Sequence, residues 1–157
     1  MTAAGVNQND VMFLQMMVPH LEQGLRIVRL ANDRAGRDDV RVLAAAIEST
    51  QADEMATMSA RLRDWHQPPT APVNAHSEHG GTPQTVDAEI AALRKITGPE
   101  FDRRFLNVMI AHQDDAIQLA RVETATGSDS SAKALADQID RSRSAQIHQM
   151  LDFLGQG

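Results

Sequence analysis

Cysteine is absent from the 157 residues, which removes disulfides, thiolate metal sites and thiol catalysis together and leaves the redox compartment open. Tyrosine is absent too, and aromatics make up 3% of the chain, poor material for a β-sandwich or an aromatic cofactor pocket. There is no run of Lys and Arg, and the formal net charge is −6 with a pI near 5.4. Nucleic-acid and anionic-membrane binding both need a basic footprint, so neither is expected. No apolar run approaches the roughly 18 residues of a membrane span, and Met1 to Gly5 is not expected to act as a signal peptide. Nucleophile elbow, phosphate loop, dinucleotide fingerprint and zinc-hydrolase motif are all missing, so a non-catalytic protein is expected.

What is there is helical. Phe13, Met17, His20, Gly24, Ile27 and Ala31 alternate three and four apart, the seam that a bundle helix buries; this predicts a first helix from about Asn9 to Ala35. Gly36 supplies a stop, and Asp38 is a candidate N-cap for a second helix carrying Leu43, Ile47, Met55, Met58, Leu62 and Trp65. Pro68, Pro69, Pro72, Gly80, Gly81 and Pro83 then predict a flexible linker over 67–85. Val86, Ile90 and Leu93 suggest a short helix stopped by Gly98. Phe105, Met109, His112, Ala116 and Leu119 define a third long helix entered through Pro99. After Gly127, with Asp129 or Ser128 as cap, Leu135, Ile139, Ile147, Met150 and Leu154 define a fourth.

The two halves repeat at a constant offset of 92. Asp10 pairs with Asp102, Phe13 with Phe105, Met17 with Met109 and His20 with His112. The same offset pairs Leu43 with Leu135, Ile47 with Ile139, Met58 with Met150 and Leu62 with Leu154. One offset held across two helices and their turn means two equivalent hairpins, over 9–66 and 99–155, packed face to face in a single domain of residues 1–157. The fold class is therefore all-α, a four-helix bundle. Pro19 breaks the equivalence: its counterpart is Ala111, and it is expected to kink the first helix just before His20.

The chemistry-bearing residues lie on the seam. His20 and His112 face a pseudo-two-fold axis, and the opposite helices interrupt their apolar stripes at that level with Gln51, Glu54, Arg143 and Gln146. One reading is a hydrogen-bonded polar cluster that fixes register. The other starts from Met17-x-x-His20 and Met109-x-x-His112, which stand where di-iron bundles carry Glu-x-x-His. A thioether in place of the carboxylate disfavours Fe or Mn and suits Cu(I) or a similar soft ion. The candidate ligands are Met17, His20, Met109 and His112, with Met16 and Glu54 beside them, Met55 and Met58 as further thioethers, and the linker residues His76 and His79. His66 also belongs to the linker, and His148 is expected to be exposed.

The segments Asp10-Val-Met-Phe-Leu-Gln-Met-Met-Val-Pro-His20 and Phe101-Asp-Arg-Arg-Phe-Leu-Asn-Val-Met-Ile-Ala-His112 resemble the paired signatures of the domain-of-unknown-function 305 family. The resemblance extends to Trp65 and to His76 and His79 before Gly80-Gly81. It implies a ferritin-like fold of two hairpins, an extracytoplasmic location (secreted, periplasmic or lipoprotein), and for some members copper or silver binding. The family usually carries two consecutive His in each signature, whereas Leu21 and Gln113 stand second here. The expected function is thus a non-catalytic extracytoplasmic bundle binding copper or silver for storage or tolerance. The alternative is a metal-free structural or interaction module.

Overall fold

Asn7 opens the first helix by a reciprocal cap: its side chain accepts from Asp10 N at 2.9 Å, and its own backbone N–H donates to Asp10 Oδ2 at 2.7 Å, which satisfies two of the helix's orphan donors. The computed structural model describes residues 4–70 and 83–156. Over these the helices are α1 (Gln8–Arg34), α2 (Asp38–Asp64), α3 (Pro83–Leu93), α4 (Gly98–Thr126) and α5 (Ser130–Gln156). No strand occurs among the described residues, only an isolated bridge between Ala35 and Gly98. The predicted linker falls largely outside them, as do His76 and His79.

α1 packs on α2 and α4 on α5, and α1 also packs on α4. α1 and α4 run antiparallel, since the start of α1 lies at the end of α4 and the reverse holds at the other pole: Asn7 Nδ2 donates to Thr126 O, and Asp102 receives Gly36 N. The short α3 covers part of α1 and α4. Pro19 lies within α1, which continues through it to Arg34.

The turns are held differently from the sequence expectation. Asp38 is already helical; the cap position of α2 is Arg37, with no side-chain cap of its own. Asp102, from the other hairpin, instead holds the turn before it by accepting Gly36 N at 2.9 Å and Arg37 N at 3.0 Å. Asp129 does cap α5, accepting Ala132 N at 2.8 Å. Gly36 is required by proximity, because a Cβ there would sit 2.9 Å from Gly98 backbone atoms.

Two apolar clusters fill the bundle. One contains Ile27, Leu43, Ile47, Ile90, Leu93, Phe101, Phe105, Met109 and Met150. The other contains Val11, Phe13, Leu14, Met17, Leu21, Met58, Leu62, Trp65, Ala132 and Ile139. Burial of such side chains at about 1.5–3 kcal/mol each is the main driving force for assembly. The residues that interrupt the stripes belong to neither cluster; they form a polar layer between them.

Candidate functional site

His20 on α1 and His112 on α4 meet where these antiparallel helices cross. Their rings stack with centroids 3.7 Å apart and planes 4° from parallel. His20 Nε2 lies 2.9 Å from the His112 carbonyl oxygen. A carbonyl only accepts, so Nε2 carries the hydrogen, and in the neutral ring Nδ1 keeps the lone pair. Burial, reinforced by the charge of Arg143, pushes His20 down to about 4 despite that hydrogen bond. Burial, then the charges of His20 and Arg143, hold His112 well below the usual imidazole range. Both rings are neutral at neutral pH, as a stacked pair and a metal ligand alike require.

Around them the layer is almost fully paired. Arg143 of α5 is completely buried and forks onto Glu54 of α2, Nη1 to Oε1 at 3.0 Å and Nη2 to Oε2 at 2.5 Å, the planar bidentate geometry that favours guanidinium over ammonium. Gln51 donates to Gln113 Oε1 at 3.2 Å, and Gln113 donates in turn to Gln146 Oε1. The repeat relates Gln51 to Arg143 and Glu54 to Gln146, so equivalent positions carry an amide in one hairpin and a charged group in the other.

Three buried atoms in the layer have no partner among the described residues: Arg143 Nε, Gln51 Oε1 and His112 Nε2. The last two face the same bare stretch of α1: a Cβ at Gly24 would sit 2.3 Å from Gln51 Oε1 and 2.7 Å from His112 Nε2. Gly24 is therefore fixed by the close approach of these two side chains.

The sequence-derived ligands are not gathered at one point. The two imidazoles meet, but Met17 and Met109 are each wholly buried in opposite apolar clusters, one on either side of the pair. Lone pairs of parallel stacked rings lie in separate parallel planes, so these rings as they stand do not chelate one ion between them. Glu54 is committed to Arg143. Met16 is half-buried on α1, one turn before His20. With Gly24 set against Gln51, the antiparallel α1–α2 register puts Met55, also half-buried, level with His20. His66 is exposed with φ 56° just after α2, and His148 is exposed on α5. Among the described residues no group of three or more His, Cys, Asp or Glu is arranged to hold a metal ion.

Sequence reasoning missed three things here. The Glu54–Arg143 pair joins two helices with no shared motif. The caps provided by Asp10 and Asp102 were visible only as a matched pair at the repeat offset, without a role. Glu123, 1% exposed on α4, left no sign at all, because its counterpart is Ala31.

Domain of unknown function (DUF305) matches residues 10–154. The chain belongs to the DUF305 family. Solved structures agree on the fold of this DUF305 chain. A DUF305 protein of Streptomyces coelicolor, named as secreted, superposes with a TM-score of 0.86 at 24% identity, covering 94% of this chain and 93% of that one. A DUF305 fragment from Deinococcus radiodurans gives 0.84 at 27% identity, covering 97% and 99%. CopM in its Cu(I)-bound form gives 0.78 at 25% identity, covering 94% and 96%, and CopM structures with Cu(II) and Ag also match. No curated protein matches the chain. No helix among the described residues is long and apolar enough to cross a membrane.

Proposed function

We propose that this DUF305 chain is a non-catalytic, extracytoplasmic bundle that binds soft metal ions, copper or silver, for storage or tolerance. The observation that carries the reading is the setting of His20. Its Nε2–H is anchored on a backbone carbonyl, the arrangement that orients metal-ligating imidazoles through their second nitrogen. The ring stays neutral to about pH 4, so its lone pair is not lost to a proton. Met16 on the same stripe and Met55 at the same level of α2 are half-buried thioethers, ligands that suit a soft monovalent ion better than Fe or Mn. The similarity to CopM, solved with Cu(I), Cu(II) and Ag, supports the same class of ion. Met17, Met109 and His112 then act as the packing around the site, and His76 and His79 are a separate candidate pair.

Binding to the folded state adds about 2.7 kcal/mol at a hundredfold excess over Kd. Cu(I) or Ag(I) should raise the melting temperature by several degrees, and Fe(II) or Mn(II) should leave it unchanged. His20→Gln or the pair Met16→Leu and Met55→Leu should remove the shift. If only His76→Gln with His79→Gln removes it, the linker is the site. A wild-type curve unmoved by Cu(I) under reducing conditions, with no heat on titration, would leave the second reading.

That second reading is a metal-free structural or interaction module. It is favoured by the Glu54–Arg143 fork and the Gln51–Gln113–Gln146 chain, which tie α2, α4 and α5 together at one level and fix register without any ion.

A further inference from the structure

Glu123 is the buried acid that the polar layer does not use. It lies on α4 near the turn into α5, 1% exposed, and neither carboxyl oxygen has a hydrogen-bond partner among the described residues. It is wedged beneath Gly127: a Cβ there would sit 2.1 Å from Glu123 Oε1 and 2.7 Å from Asp10 Oδ1. The two carboxyl groups thus face each other beneath Gly127, in the space that a side chain there would take.

Asp10 accepts from three backbone N–H groups. Its Oδ1 receives Ser128 N at 2.9 Å and Asp129 N at 3.1 Å, while its Oδ2 receives Asn7 N at 2.7 Å and Asp129 N at 3.0 Å. Burial opposes ionisation of Asp10, but the contact with Glu123 and then these backbone donors outweigh it and hold Asp10 as the ionised member. Glu123 has no such donors, and the groups around it are mostly of its own sign. On α1 it faces Asp10. From the turn and α5 it faces Asp129 and Lys133, the latter a cation that acts the opposite way, and Asp129 itself lies 3.7 Å from Arg61 of α2. Burial first, then Asp10 and Asp129, push Glu123 up to about 9. Two adjacent buried carboxyls share a single proton more readily than they hold two negative charges.

The repeat supplies an internal control. At the other pole Asp102 caps the α1–α2 turn through Gly36 N and Arg37 N, as Asp10 caps the α4–α5 turn. The counterpart of Glu123 there is Ala31, which is wholly buried. One pole sets two carboxyls face to face, and its equivalent has only that of Asp102.

We propose that the Glu123–Asp10 pair is a proton-dependent latch, closed when Glu123 is protonated and donates to Asp10, and released at alkaline pH to loosen the α4–α5 turn and the start of α1 while the Asp102 pole stays shut. The direction follows from linkage. A group whose folded-state value is raised contributes stability that is complete below its unfolded value, near 4.5, and is lost as pH rises toward 9. Asp10 accepts from three backbone donors, Asn7, Ser128 and Asp129, which leaves room for one further hydrogen, the proton carried by Glu123.

The test is amide exchange by NMR on the intact chain between pH 6 and pH 9, expressed as protection factors to remove the intrinsic base dependence. Ser128 and Asp129 amides should lose at least tenfold in protection across that range, and Gly36 and Arg37 should not. Glu123→Gln, which keeps a donor toward Asp10, and Glu123→Ala, which copies Ala31, should both flatten the response. The side-chain carbon signal of Glu123 should titrate above pH 7. Titration below pH 6, equal behaviour of the two poles, or an unchanged response in both variants would each overturn the proposal. So would recovery of protection at pH 9 on adding Ca²⁺ or Mg²⁺ to the wild type but not to Glu123→Gln, which would make the pair a cation site.

Discussion

Glu54→Gln is the substitution for which the structure gives the sharpest expectation. Arg143 is completely buried, and both of its terminal nitrogens bind the Glu54 carboxylate. Removing the counter-charge while leaving the guanidinium buried costs about 3–5 kcal/mol, and an amide that still accepts one bond keeps the loss near the lower bound. In a chain of this size about 3 kcal/mol corresponds to a fall of roughly 6–12 °C in Tm. Arg143→Gln should be milder, because a carboxylate stripped of its cation can take up a proton whereas a guanidinium cannot lose one. The double variant Glu54→Gln, Arg143→Gln makes the two hairpins identical at both levels, with glutamine at all four of these repeat-related positions. With no buried charge left, its stability should return to within about 1 kcal/mol of the wild type. Urea unfolding of the four proteins closes the cycle. A Glu54→Gln variant within about 1 kcal/mol of wild type, or a double variant no better than the single one, would refute the claim that the fork matters through charge compensation.

Other outcomes follow from the same geometry. Both His have depressed folded-state values, so the folded protein binds fewer protons than the unfolded chain between about 6.5 and 4; stability is complete above that window and falls as pH drops through it. His20 alone accounts for roughly 3 kcal/mol, and urea midpoints at pH 7, 6 and 5 should decline in the wild type and decline less in His20→Gln with His112→Gln. Gly24→Ala should destabilise by about 1–3 kcal/mol through overpacking against Gln51 and His112; a net gain, as helix propensity alone predicts, would show that the approach is not tight. Asp102→Ala strands the Gly36 and Arg37 donors and should cost about 2 kcal/mol in thermal unfolding; a loss below a few tenths would mean that water replaces the carboxylate.

The all-helical fold and its seam were legible in the sequence because a helix repeats every 3.6 residues and must bury one stripe. Phe13, Met17, Ile27 and Ala31, with Phe105, Met109 and Ala116, announce that stripe locally, and all are buried. The constant offset added the pairing of Asp10 with Asp102 and His20 with His112, since equivalent positions in a repeat face equivalent surroundings. The gathering of polar residues at one level was legible too, because Gln51, Glu54, Arg143 and Gln146 interrupt apolar stripes at the same height as the His pair. The contacts made by those residues were not. Whether His20 and His112 chelate or stack depends on how closely α1 and α4 cross, which Gly24 permits and no local pattern encodes. Met17 and Met109 share a spacing with their His, but an antiparallel crossing sends them to opposite clusters. The Glu54–Arg143 fork and the Asp10–Glu123 contact join residues 89 and 113 positions apart. Such charge pairs follow from which helices lie side by side and how deeply each is buried, and only the tertiary structure sets either.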